Sequence, residues 1–277
     1  MHTLRCQAAN HQLQPFVRAY AEREIRGIEG IIAEPVPARL EQTLEFQFGE
    51  RIDAVSGDGR RQVAPPTTVI GAHLEPGFRI LLRKDVVSFG IFFQPGGLSH
   101  LFRVPMAELS GRAMHASDVL GCAISRLHVQ LAECRSFSQR TAVAERFLLA
   151  RAAQMTNGNG STMGRAASRI FVAQGVVRVA QIAQEAGLSL RHFERQFLRE
   201  TGVSPKTFAR VARFQSALDA KLLAPHSSWL DVAHDLGYHD QMHMVHDFHD
   251  FAGDAPGKIL ATIRDGRPPA MANFTEL

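Results

Sequence analysis

The sequence predicts an α+β N-terminal domain, a curved antiparallel sheet or barrel plus helices, followed by an all-α C-terminal domain with two helix-turn-helix units joined by a linker helix. Three observations predict it. Short aromatic and β-branched runs separated by turn residues dominate the first hundred positions, helical periodicity takes over after Gly97, and one pattern of ten residues occurs twice in the last hundred.

The strands come first. Residues 25–33, 42–48, 67–70, 78–82 and 86–94 are rich in side chains that suit a pleated, half-buried surface. Ser56-Gly57-Asp58-Gly59, Pro65-Pro66, Glu75-Pro76-Gly77 and Pro95-Gly96-Gly97 separate them as turns. Leu98, Leu101 and Phe102 then share one helical face, and 119–131 and 142–153 continue at helical spacing. Asn157-Gly158-Asn159-Gly160-Ser161 holds nothing that can build a core. This places one domain at 1–156, a linker at 157–161, a helical domain at 162–262 and a tail at 263–277.

With 45% hydrophobic and 21% charged residues, the 277-residue chain is an ordinary globular one with length for two cores. Residues 1–16 lack the continuous apolar stretch of a secretory signal, and runs such as 89–93 fall far short of a membrane span. A cytoplasmic protein with no membrane partner is expected. Cys6, Cys122 and Cys134 are odd in number and widely spaced, which argues against a disulfide framework or a four-thiolate zinc site. The net charge is +4, but residues 165–223 hold ten Lys or Arg against four acids, whereas 224–260 hold six Asp against Lys258. A polyanion is drawn first to the basic segment.

The repeat lies within and just after that segment. In Val179-Ala180-Gln181-Ile182-Ala183-Gln184-Glu185-Ala186-Gly187-Leu188 and in Trp229-Leu230-Asp231-Val232-Ala233-His234-Asp235-Leu236-Gly237-Tyr238, an aliphatic residue precedes an Ala, and a Gly follows that Ala four positions on. The Ala is small where a second helix crosses close above it, and the Gly supplies the positive φ of a tight turn. Leu188 and Tyr238 then plug the angle between the helices.

Each repeat leads into an amphipathic helix. After the first, Ser189 is a candidate N-cap, Phe193 and Phe197 face inward, and Arg191, Arg195 and Arg199 form an outward stripe suited to phosphates and guanine edges. After the second, Met244, Phe248 and Phe251 point in, while Gln241, Met242 and His246 point out, where Gln can read adenine and Met can touch a thymine methyl. A helix over 205–223, begun by Pro205 and apolar at Phe208, Ala212, Leu218 and Leu222, spans about 27 Å and spaces the two units by close to one DNA turn.

The stretch from about 170 to 260 resembles the tandem helix-turn-helix domain of AraC/XylS-type transcription regulators. The resemblance rests on the paired Ala-x-x-x-Gly cores, on Phe197-Leu198-Arg199-Glu200-Thr201-Gly202-Val203-Ser204-Pro205, on Arg213 through Ala217, and on Gly237-Tyr238-His239-Asp240-Gln241 ahead of Phe248. It implies that Arg191, Glu194 and Arg195, and Gln241, Met242 and His246, face bases or phosphates, with Arg199, Lys206 and Arg210 as further DNA-binding positions. Gly71 and Phe92-Phe93-Gln94-Pro95-Gly96-Gly97 are similar to sensor domains attached to some of these regulators. The implied function is a ligand-responsive activator that places two recognition helices in successive major-groove segments. Its implied partners are promoter DNA, RNA polymerase, a small-molecule effector and a second copy of the chain.

Departures from the family pattern lie in the second unit. His246 and His249 stand where Arg and Lys are usual, with Asp247 and Asp250 nearby, and Gly253-Asp254-Ala255-Pro256 replaces a Gly-x-Ser-Pro motif. Repulsion from phosphates is expected to weaken this unit, and His protonation at lower pH to offset the Asp excess. The alternative is that the second unit has become a protein-contact surface and the chain an interaction module. His239, His243, His246 and His249 have ligand spacing, yet they lie on the helix meant for the groove, and neither a metal nor another cofactor is expected. His73, His100 and His115 could line a pocket, although scattered histidines are the plainer reading. No nucleophile motif or phosphate-binding loop stands out, and Cys6 lacks the clustered thiolates of an alkyl-acceptor repair protein, so no enzyme is expected.

Overall fold

The computed structural model describes residues 2–27, 29–83, 85–155 and 161–264. Strands β1 (His2–Ala8), β2 (Val17–Ile25), β4 (Gln42–Gln47), β7 (Thr67–Ile70), β9 (Val86–Phe93) and β10 (Ala113–His115) form a six-stranded sheet in the order β1-β2-β9-β4-β7-β10. Strands β3 (Ile32–Pro35), β5 (Asp53–Val55), β6 (Arg61–Val63) and β8 (Arg79–Leu82) form a second sheet in the order β3-β8-β5-β6. Pairing within both is antiparallel.

Alternation along the larger sheet decides what lies on each face. Tyr20, Leu44, Phe46, Val69, Phe89, Ile91 and Phe93 are buried in one core with Leu98, Leu101, Ile124, Leu127, Leu131, Ala144 and Leu148. Those partners come from α1 (Gly97–Phe102), α3 (Ala123–Glu133) and α4 (Phe137–Ala152). The opposite pleats carry Arg23, Glu45, Thr68 and Ile70, which look toward Ile52, Ala54 and Ile80 of the smaller-sheet side across an open cavity.

Several predicted boundaries need correction. The strand expected at 25–33 is interrupted: Ile25 ends β2, Ile32 begins β3, and Gly27 and Gly30 between them adopt φ of 66° and 88°. The helix expected at 119–131 is two, α2 (Ala116–Leu120) and α3, separated at Gly121 with φ 91°. Helix α4 starts before residue 142, at Phe137, because the Ser136 side chain caps it. Strands β1 and most of β2 go beyond the strands expected from the sequence, and they carry Arg and Glu. Tertiary partners make them tolerable: Glu22 is buried and accepts from Arg140 at 2.6 Å and Arg5 at 2.8 Å, while Arg23 meets Glu34 at 3.0 Å.

The C-terminal region is helical: α5 (Thr162–Val172), α6 (Val179–Glu185), α7 (Leu190–Thr201), α8 (Pro205–Leu223), α9 (Trp229–Asp235), α10 (Gln241–Ala252) and α11 (Pro256–Arg264). Of the expected linker, 157–160 lie outside the described residues, as does 265–277 of the expected tail; Ser161 caps α5 through the Gly164 N–H at 2.7 Å. The two regions pack against each other rather than hanging apart. Ala38, Leu40 and Ala72 of the N-terminal region are buried in the core of the helical one. No helix among the described residues is long and apolar enough to cross a membrane.

Candidate nucleic-acid interface

Both repeats form a helix, a glycine turn and a second helix. Ala183 and Ala233 are each 1% exposed at the crossings. Gly187 and Gly237 take φ of 70° and 64°. The next residue then closes each turn, Leu188 N–H donating to the Ala183 carbonyl at 3.0 Å and Tyr238 N–H to the Ala233 carbonyl at 2.9 Å. This six-to-one bond ends a helix through a left-handed residue, which only Gly adopts without strain. Tyr238 is buried and Leu188 half-buried, in the wedge positions expected of them.

Helix α7 follows with Ser189 accepting from His192 N–H at its start. Phe193 and Phe197 are fully buried, and Phe197 meets Phe208 of α8 edge-on with ring centroids 5.4 Å apart. That anchoring sets the opposite face outward: Arg191, Glu194, Arg195 and Arg199 are all exposed. Among the described residues no ion pair engages the three arginines, and Arg195 contacts only its neighbour His192, Nη2 to Nδ1 at 3.2 Å, by hydrogen bond. Toward the end of α7, Arg195 and Arg199 border an open cleft of about 730 Å³ with His100 and Arg103 from the N-terminal region.

Helix α8 begins with the Ser204 cap and Pro205, and Lys206 is exposed on its first turn. Arg210 does not extend outward with it. Its guanidinium donates to Asp247 at 3.1 and 2.6 Å and to Asp250 at 2.6 Å, and it lies 4.9 Å from the Phe251 ring centroid. Asp247 is 1% exposed, so this is a clamp between α8 and α10. Arg210 thus has internal partners, and its single charge offsets part of the negative charge of Asp247 and Asp250 in the second unit.

Helix α10 is capped by Asp240, which accepts the His243 N–H at 2.7 Å; the sequence reading gave this residue no role, although Asp three positions before the next helical N–H is a cap signal. Met244, Phe248 and Phe251 are buried, with Phe248 against Phe214 and Trp229. Gln241, Met242 and His246 are exposed together on the other side.

Residues 182–262 match a family model described as a helix-turn-helix domain, a stretch of less than a third of the chain. Its start at the first Ala crossing and its end past α10 bracket both turns just described. The C-terminal region carries an AraC-type helix-turn-helix domain. No curated protein matches the chain. Among solved structures, ToxT from Vibrio cholerae O395 is similar at 9% identity and a TM-score of 0.46, covering 88% of this chain and 97% of that one. ToxT from strain SCE256 with bound unsaturated fatty acid gives 9%, 0.46, 89% and 95%, and ToxT O395 with a bound naphthalenyl butenoic acid gives 9%, 0.48, 95% and 98%.

Behind the AraC-type domain lies the cavity between the two sheets, about 740 Å³ in volume. Its wall includes Arg39, His73 and Glu45. Burial works against the charge on Arg39, which Glu41 and Asp219 favour across space, and burial pushes the Glu45 carboxyl up. His73 packs on Phe78 at 4.3 Å, and burial lowers its imidazole from the usual 6.5 to about 4. The folded chain thus takes up that proton less readily than the unfolded one, and stability declines as pH falls from about 6.5 toward about 4. Urea denaturation at about pH 5 and about pH 7 should show a smaller loss for His73→Gln than for the parent chain.

Proposed function

We propose that this chain is a sequence-specific DNA-binding transcription regulator whose N-terminal domain responds to a small molecule. The observation that carries the reading is the outward guanidinium row of Arg191, Arg195 and Arg199 on the second helix of a helix-turn-helix unit, held there by the buried Phe193 and Phe197. In this reading α7 enters the major groove, Arg191 and Arg195 donate to guanine edges, and Glu194, Arg199 and Lys206 contact or border the backbone. Helix α10 enters a neighbouring groove segment with Gln241, Met242 and His246. Activation, contact with RNA polymerase and pairing of two copies complete the proposal. The reading gives the chain no catalytic step, and burial raises the Cys6 thiol, against a nucleophilic role.

Gel retardation with genomic fragments tests it. A subset of fragments should shift in preference to competitor DNA, and affinity should drop by about a hundredfold between roughly 50 and 200 mM salt if about four phosphates are contacted. Equal affinity for all fragments, or none for any, would sink the reading.

A further inference from the structure

The cavity between the sheets supports an inference that rests on the regulator reading above and gives its effector a chemistry. Arg39 and His73 stand directly opposite each other on a two-bond bridge, Arg39 N–H to the His73 carbonyl at 2.7 Å and His73 N–H to the Arg39 carbonyl at 2.8 Å. Residues so opposed send their side chains to the same face, and both line the cavity. Each is only 8% exposed. Among the described residues, Arg39 Nε and His73 Nε2 nevertheless have no hydrogen-bond partner. Leaving a buried polar atom unmet costs more than an ordinary hydrogen bond contributes, so two such atoms on paired residues of one cavity wall mark a place where a ligand can supply the missing partners.

The neighbours decide the ligand's charge. Arg23 is engaged by Glu34 at 3.0 Å, Glu41 by Arg18 at 3.5 Å, and Glu75 accepts the Gly57 N–H at 3.0 Å. Glu45 is driven toward its neutral form by burial. Arg39 keeps an open donor with no carboxylate at contact distance among the described residues, which calls for an anion. His73 is different. Burial keeps its ring neutral, and a neutral imidazole protonated at Nδ1 accepts at Nε2, the atom left without a partner, and calls for a donor. Val36, Ile52, Ile70, Phe78, Ile80 and Met114 make much of the remaining wall apolar.

The same stretch of chain reaches the DNA-binding helices. Ala38 N–H donates to the Phe251 carbonyl in α10 at 2.7 Å. Gln42 Nε2 lies 3.2 Å from the Glu200 carbonyl and 3.4 Å from that of Thr201 at the end of α7, and Glu41 accepts from Gln215 Nε2 of α8 at 3.3 Å. Residues 38–42 therefore form a strap that shows Arg39 to the cavity and touches both reading helices and the helix between them.

We propose that the cavity binds a small hydroxycarboxylate with an apolar body, its carboxylate accepting from Arg39 and its hydroxyl donating to His73 Nε2, and that the 38–42 strap passes its occupancy to α7 and α10. Binding repositions Arg39 and, through the shared backbone, the Ala38 and Gln42 contacts.

Calorimetric titration of the full chain without DNA tests the site, with lactate, mandelate and tropate as probes and the amide and the deoxy acid of each as matched controls. At least one hydroxycarboxylate binds saturably, and its two controls bind about tenfold more weakly or worse. Arg39→Gln abolishes that binding, and Arg39→Lys, which keeps the charge without the fork, weakens it. Gel retardation then reads the strap: the bound hydroxyacid changes DNA affinity about fivefold or more in the parent chain and not in Gln42→Leu, which still binds the acid. No binding by any of the three, equal binding of an amide, or full binding by an Arg39→Gln chain with a native circular-dichroism spectrum overturns the site. A hydroxyacid effect on DNA that survives in Gln42→Leu overturns the strap. Saturable acid binding by a chain that retards no fragment overturns the regulator reading and leaves the site standing.

Discussion

Replacing Arg191 by glutamate should abolish sequence-specific retardation, and Arg195→Ala should cost about 1–3 kcal/mol of discrimination, a factor of about 5 to 150 between preferred and random DNA. Both residues are exposed on α7 on the face opposite Phe193 and Phe197, so neither change touches the core. The two differ in kind. Alanine removes one base contact and leaves the phosphate contacts in place, so non-specific binding persists; glutamate adds a charge that the duplex repels. Arg126→Ala on α3, an exposed cation far along the chain from the reading helices, controls for net charge and should leave retardation unchanged. Full specific binding by Arg191→Glu would show that α7 does not read the groove.

The second large effect is on stability. Arg210→Met should destabilise the chain by about 3 kcal/mol, because it strands the Asp247 carboxylate, 1% exposed, without its cation. The double variant Arg210→Met with Asp247→Leu should recover most of that loss, since a buried ion pair replaced by apolar groups of similar volume is often neutral. Denaturant titration of the parent, single and double variants gives the comparison. Equal stability of Arg210→Met and the parent would mean the clamp between α8 and α10 contributes nothing. DNA affinity offers a second readout, because an unmatched Asp247 and Asp250 restore the negative charge that Arg210 otherwise offsets.

Much of the C-terminal region was legible because its signals are local. An Ala crossing, a Gly turn, a Ser cap and a Phe pair at i, i+4 lie within a few residues of one another, and each acts through its own helix. The inward and outward faces of α7 and α10 followed from that. The role of Arg210 did not, because its partners Asp247 and Asp250 are nearly forty residues away, and a cation on a helix face reads the same whether it meets a phosphate or a carboxylate. Among the strands, β4, β7 and β9 announced themselves by apolar and β-branched side chains. Strands β1 and β2 carry Arg and Glu, and partners such as Arg140 and Glu34, supplied from elsewhere in the chain, make those charges acceptable in a sheet.

The change from strands to helices, the two helix-turn-helix units and the outward arginine row are properties of the sequence alone, because periodicity, caps and turn glycines act over one or two helical turns. Tertiary structure decided which charges are free and which are matched, and it brought Arg39 opposite His73 above a cavity while laying residues 38–42 against α7, α8 and α10. Burial and ion pairing depend on groups far apart along the chain, and no local pattern carries their distances.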